Sequence, residues 1–375
     1  MTAGGGTRIA GLDLVRGVAI ALVLVRHAWP AEFGSAGIAG VVAFFALSGY
    51  LITGILLHDL RRHGRVRYGR FYRNRALRLL PPLLLLLAGI VVAMLVWDPL
   101  GDRRGLWRML FTGLTYTGNL PYNHGSATVG HLWTLATEEQ FYLLWPVLLA
   151  IALRWNRVGT MVAAASTTIL VGLAATMWLK APGIYEIYPL PTSWAIAIVI
   201  GAAARIWEPA LRRLLPERPA PRAAIGTTAV AALLALALVP EDKSAPWVYL
   251  ALGPSIAAVT VVLVLVWSDW VELPTPVLRP LLALGTVSYA AYLWNWPIVM
   301  WLGGHPMSWQ TSLASIALTI GAATASWWLL ERPVQRWRAR RDARRADAVR
   351  DTAQADRAEE SVGSGPAARG NTAGP

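Results

Sequence analysis

Ten stretches of the chain are apolar for long enough to cross a bilayer, and polar residues gather in the gaps between them. The stretches fall at about 12–29, 38–58, 79–97, 132–153, 158–179, 190–207, 223–239, 247–267, 280–302 and 310–331, against the roughly 20 predominantly apolar residues that a membrane helix needs. The pattern predicts an all-α, polytopic membrane protein, a bundle of about ten transmembrane helices. The second and third stretches, IAGVVAFFALSGYLITGILLH and LLPPLLLLLAGIVVAMLVW, are uninterrupted. The first is not: between Leu12 and Trp29 it carries Asp13, Arg16, Arg26 and His27. An ionised side chain at the centre of a membrane helix costs about 2.5–3.5 kcal/mol on insertion scales, and such residues usually face a bundle interior or a wet cavity. Arg16 and His27 are eleven positions apart. At about 100° per residue that returns them to within about 20° of one face, about 16 Å apart along the axis. The same stretch also reads as a helix whose two arginines snorkel to the interfaces and whose histidine is an interfacial polar residue.

Composition agrees with a membrane domain that fills most of the chain. Of 375 residues 55% are hydrophobic and 15% charged, where a soluble domain has about 25% charged; the mean hydropathy is +0.46. Trp, which concentrates at membrane interfaces, occurs nineteen times. Cysteine is absent, which excludes disulfides, thiolate metal sites and an acyl-cysteine intermediate. The net charge of +13 would suggest nucleic acid in a soluble protein, but the basic residues are not randomly placed. The segment HDLRRHGRVRYGRFYRNRALR holds eight arginines. Putting it in the cytoplasm places 27 of the 34 Lys and Arg on that side, with five opposite and Arg16 and Arg26 within the first span. This positive-inside asymmetry predicts a multi-pass plasma-membrane protein with both termini cytoplasmic and explains the charge without a nucleic-acid partner. The N-terminus does not read as a signal peptide, because Arg16 and Arg26 interrupt its apolar core; it is expected to be a retained first span. Residues 1–337 are expected to form the membrane domain, and 338–375 a basic, then disordered, cytoplasmic tail that touches anionic lipid. The longest external loop is expected at 98–131, where GNLPYNHGSATVG carries turn residues.

Three constellations could carry chemistry. Arg75 and Arg78, in FYRNRALRLLPP, lie three apart and share a face if the third helix begins early; paired guanidiniums there suit bidentate phosphate binding. The alternative is an ordinary positive-inside cluster. The fourth span opens HLWTLATEEQFYLLWP. Glu138 and Glu139 are costly in that apolar setting, and they lie at a depth comparable to His27. A carboxylate beside an imidazole orients it and raises its basicity, as general-base catalysis requires; the alternative is that the glutamates pair with Arg16 or Arg26 and serve assembly. Glu138 shares a face with Tyr142 and with His131. In the ninth span Ser288, Tyr292 and Asn295 form a polar stripe at i, i+4 and i+7, and Pro297 is expected to break the helix beside it. Interhelical hydrogen bonding accounts equally well for Ser288, and Ser48 reads as packing. No His-Glu-x-x-His spacing or phosphate-binding glycine loop is present, so no metal is expected.

These motifs resemble the acyltransferase 3 family of integral membrane acyltransferases. The resemblance rests on GLDLVRGVAIALVLVRHAW, FFALSGYLITGILL, FYRNRALRLLP, HLWTLATEEQFYLLWP, LGTVSYAAYLWNWP and SWWLLERPVQRW, in the family's order and through most of the chain. It implies a bundle of about ten helices that takes an acyl group, here expected to be acetyl, from cytoplasmic acyl-coenzyme A to a hydroxyl. The acceptor would be a glycan, a lipid-linked sugar or a macrolide-type metabolite. It implies that His27, Glu138 and Arg16 are catalytic and that Arg75 and Arg78 bind the coenzyme A; Glu139, Tyr142, Tyr292 and Asn295 are then read as substrate-binding positions. The family often has His where this chain has Asn295, and Asn cannot titrate; His27 is then expected to act alone. The extracytoplasmic esterase-like domain of some relatives is expected to be lacking, which would leave acceptor selection to the membrane domain. The rival reading is a transporter whose buried charges line a solute or proton path. No internal repeat is evident to support one. A weaker rival is a scaffold that docks through the basic tail.

Overall fold

A computed structural model describes residues 9–120, 125–337 and 339–341 of the chain; the expected 338–375 tail and His124 lie outside the described residues, apart from residues 339–341. No strand occurs among the described residues. Within the described residues thirteen α-helices follow one another: α1 (Ala10–Ala28), α2 (Ala36–His63), α3 (Tyr68–Val96), α4 (Leu106–Thr115), α5 (Trp133–Arg154), α6 (Val158–Lys180), α7 (Pro191–Ile206), α8 (Glu208–Arg212), α9 (Pro219–Ala237), α10 (Gly253–Trp267), α11 (Arg279–Thr286), α12 (Ser288–Trp301) and α13 (Trp309–Ser326). A π turn, Val248–Leu252, leads into α10, and another, Trp327–Glu331, extends α13 towards Arg341.

Six of these helical stretches are long and apolar enough to cross a membrane: α2, α3, α6, α9, α10 with its π turn, and α13 with its extension. This is a multi-pass membrane protein. The other four expected spans correspond to α1, α5, α7 and the α11–α12 pair. Charge interrupts two of them, through Asp13, Arg16 and Arg26 in α1 and Glu138 and Glu139 in α5. α7 has only 16 residues, and the ninth stretch breaks between α11 and α12.

That break lies at Val287 and not at Pro297, which sits inside α12. Its cause is packing. α11 crosses α1 so closely that a Cβ on Gly285 would lie 1.8 Å from the Asp13 carbonyl oxygen, and one on Gly17 would lie 1.9 Å from the Leu281 oxygen. Only glycine allows backbones to approach that far. Once α11 is fixed against α1, the chain must turn before α12 can pack on α13.

α3 begins at Tyr68, well before the expected start at 79. Its first turns are basic, yet Phe71 is buried against Leu56, Tyr142 and Trp145, so the helix has an apolar face to dock. Arg67, at its N-terminal boundary, pairs with Asp59 at 3.1 Å. The expected external loop contains a helix as well. In α4, LWRMLFTGLT, the helical spacing of Leu106, Met109, Leu110 and Gly113 supplies an inward face, and Met109 is fully buried.

α1 is the centre of the molecule. Thirteen of its nineteen residues are buried, enclosed by α2, α10, α11, α12 and α13. The helices at the periphery are the apolar ones: in α6 only Val162 and Leu173 are buried.

Candidate active site

A cavity of about 910 Å³ opens along the α2–α3 end of the bundle. On α2 its wall runs from His63 to Val41, 22 positions apart, or about 33 Å of helix. Six arginines line it (Arg16, Arg62, Arg67, Arg70, Arg75 and Arg78) against four carboxylates (Asp13, Asp59, Glu138 and Glu331). Arg62, Arg67 and Arg70 line it at the α2–α3 end, and its wall also includes Thr134, Ser288 and Tyr292.

The two arginines of the α3 motif do different things. Arg75 donates from Nε to Glu139 Oε1 at 2.9 Å, and its guanidinium lies 3.3 Å from the centre of the Tyr142 ring. Glu139 and Tyr142 are therefore not on the cavity wall, where the motif reading put them; they clamp Arg75 and tie α3 to α5. The reason is steric: α3 starts early, and its second and third turns face α5. Arg78 has no ion pair and no hydrogen bond to any described residue, and it faces the cavity. Arg16 also faces it, held by Asp13 at 3.0 Å. Each cation of α1 thus has a counter-ion, since Arg26, at the far end, is bound by Glu241. Neither Glu138 nor Glu139 pairs with Arg16 or Arg26.

His27 lies at the last turn of α1, just outside the cavity. Its Nδ1 is 2.5 Å from Asn295 Oδ1, and its ring lies 5.0 Å from that of Trp296. Asn295 Nδ2 donates to Thr319 Oγ1 at 3.3 Å, and the Thr319 hydroxyl donates to the Ser315 carbonyl at 2.7 Å. Glu138 does not touch His27. Its carboxylate is on the cavity wall within reach of the Ser48 hydroxyl. The expected pairing of the two groups is not formed: His27 meets Asn295, and Glu138 meets Ser48.

Tyr292 occupies the step between them. Its hydroxyl accepts from Thr134 Oγ1 at 2.7 Å and donates to the His131 carbonyl at 3.0 Å. The expected polar stripe of α12 thus runs from the cavity, through Ser288 and Tyr292, to the partner of His27.

Two residues were given no role by the sequence reading. Ser48 reads as packing but lies in the cavity beside Glu138. His131 is buried with neither ring nitrogen hydrogen-bonded; its nearest acceptors are the Thr128 and Leu293 carbonyls. Pro297 has no N–H to offer the Leu293 carbonyl. The i+7 relation of His131 to Glu138 was the available signal for it.

A model of the acyltransferase 3 family, described as an acyltransferase domain, matches residues 9–331. The chain belongs to this family. It is 28% identical over 360 residues to the peptidoglycan O-acetyltransferase OatA of Listeria monocytogenes, covering 88% of this chain and 56% of that protein. It is 26% identical to the O-acetyltransferase OatA of Staphylococcus aureus, covering 88% and 57%. It is 29% identical to the putative peptidoglycan O-acetyltransferase YrhL of Bacillus subtilis, covering 87% and 55%. The chain thus spans a little over half the length of the curated relatives it matches. No solved structure matches it.

Proposed function

We propose that this acyltransferase-family protein moves an acetyl group from acetyl-coenzyme A, bound at its basic end, to a hydroxyl on a glycan. The observation that carries this reading is the cavity: a long, arginine-lined channel with an unpaired guanidinium at Arg78, reaching Tyr292, three positions along α12 from Asn295, the partner of a half-buried histidine. A diphosphate needs cations at the mouth, and Arg78 with the flanking arginines provides them. The pantetheine arm needs a narrow shaft of mixed polarity, which Arg16, Ser48 and Ser288 supply. At the inner end His27 takes the proton of the acceptor hydroxyl as its oxygen attacks the thioester carbonyl. The C–S bond then breaks, and the imidazolium returns the proton to the departing thiolate. Glu138, on the cavity wall beside Ser48, acts from the thioester side of this centre and does not pair with the imidazole. Peptidoglycan is the acceptor named for the relatives, and a peptidoglycan sugar hydroxyl is the acceptor proposed here. The proposed arrangement is the ten-span one, with the basic α2–α3 end and both termini in the cytoplasm. That puts the coenzyme A on the side where it is made and His27 near the outer face.

Membranes carrying the protein, supplied with acetyl-labelled acetyl-coenzyme A, should label their glycan, and His27→Ala should remove the label. Undiminished transfer by that variant, at equal protein level, overturns the reading.

A further inference from the structure

We infer that Asn295 and Thr319 form a positioning relay that fixes which nitrogen of His27 is basic, leaving the lone pair on Nε2. This rests on His27 being the base of the proposed transfer, and it concerns a position where the family this chain resembles often has His.

The Ser315 carbonyl can only accept, so the Thr319 hydroxyl must give its single proton there. Thr319 Oγ1 is then an acceptor for Asn295, and only the amide nitrogen of Asn295 can donate to it. That orients the amide, so Oδ1 faces His27. An amide oxygen only accepts, and a neutral imidazole has one N–H. The short Nδ1 contact is therefore Nδ1–H donating to Oδ1, and Nε2 carries the lone pair. Asn295 and Thr319 are almost completely buried, at 1% and 0% exposure, so water does not compete for these bonds. Nε2 is not among the buried unpartnered atoms, unlike both nitrogens of His131. It is the nitrogen left open to a substrate.

An asparagine alone would not do this. Its two ends are nearly isosteric, and a reversed amide would offer N–H to Nδ1 and move the imidazole proton to Nε2. Thr319 excludes the reversed state, because a reversed Asn295 would set its Oδ1 against an oxygen whose only proton is already committed. A hydroxyl on α13 is thereby made part of the proton chemistry of α1.

Two measurements test this. Histidine ring ¹⁵N spectra of the purified protein, with the His27 signals assigned by their loss in His27→Gln, should show protonated Nδ1 and unprotonated Nε2 in the neutral ring. Thr319→Val should shift that population towards Nε2–H, and Thr319→Ser should restore it. A wild-type ring protonated at Nε2, or a population that Thr319→Val leaves unmoved, overturns the inference. These spectra decide the point even if His27→Ala keeps full activity, so the two readings fail separately. The second measurement is a double-mutant cycle on turnover. Thr319→Val should lower kcat about tenfold, the low end for loss of a group that orients an active-site imidazole, and leave the KM for acetyl-coenzyme A unchanged. In the Asn295→Asp background it should cost nothing, because a carboxylate accepts in either orientation and needs no Thr319 to set it. Equal loss in both backgrounds would mean that Thr319 acts through packing, and the relay would be withdrawn.

Discussion

α1 and α6 have similar lengths, 19 and 23 residues, and opposite surroundings. α6 is apolar around its whole circumference, presents nearly all of it outward and carries no ionisable side chain before Lys180 at its last position. α1 carries four ionisable groups and is enclosed on every side. The contrast shows where a membrane protein can keep charge. Asp13 with Arg16, Arg26 with Glu241 and His27 with Asn295 are each paired inside the bundle, so none meets lipid. Apolar composition alone does not place a helix at the rim, since α2 is apolar enough to span and is yet mostly buried; what α1 shows is that charge is kept where partners inside the bundle meet it. The same holds for α5, where Glu138 and Glu139 are matched by Ser48 and Arg75.

The sharpest way to break the comparison is at the α1–α11 crossing. Gly285→Ala puts a methyl within 1.8 Å of the Asp13 carbonyl oxygen, and the listener is backbone on both sides, so no side chain can move aside. Overpacking of this kind costs about 1–3 kcal/mol and sometimes more. Because Asp13 holds Arg16 and Gly285 precedes Ser288, the shift also reaches both walls of the cavity. Thermal unfolding in detergent should fall by several degrees and transfer should drop with it; a variant with wild-type stability would mean that the two helices are not in contact.

The next effect isolates charge from packing. Arg78 has no described partner to lose, so Arg78→Ala should leave stability nearly unchanged while weakening acetyl-coenzyme A binding. A charge-assisted hydrogen bond contributes about 1.5–3 kcal/mol, which corresponds to at least about tenfold in affinity. Arg75→Ala should do the reverse in part. It strands Glu139 against the Tyr142 ring, and a buried charge left without its partner destabilises by about 3–5 kcal/mol, so protein level should suffer before affinity can be read. Titration of the purified variants with acetyl-coenzyme A, alongside melting curves, separates the two arginines. Identical behaviour would contradict the different roles assigned to them.

Much of this was legible before any coordinates. The apolar runs locate most of the helices within a few residues, though not the early start of α3, the helix α4 or the break in the ninth stretch, and the α3 arginines and the Ser288–Tyr292–Asn295 stripe single out residues that line or approach the cavity. Pairing was not legible. Arg75 and Arg78 are equivalent in a motif, and only the early start of α3 makes one a clamp and the other a free cation. Glu138 and His27 look level when counted from their span ends. They do not pair: Glu138 sits beside Ser48 on the cavity wall, and His27 beside Asn295 and Trp296. The break at Val287 is invisible in a stretch where Pro297 is the obvious suspect, since its cause is a glycine on another helix.

The smallest effect is the control for all of this. Gly159, in the first turn of α6, has nothing within 4 Å of where a Cβ would stand, and its φ lies outside the left-handed region. Gly159→Ala meets no neighbour, and alanine is favoured over glycine in a helix by about 0.5–1 kcal/mol. The variant should match or slightly exceed the wild type in unfolding temperature, with unchanged transfer. The identical chemical change, one methyl on a helical glycine, is thus expected to be harmless on α6 and damaging at the α1–α11 crossing. If Gly159→Ala were as damaging as Gly285→Ala, the outward face of α6 would have to be a contact surface, and the division of the bundle into a paired, charged centre and a lipid-facing rim would fail.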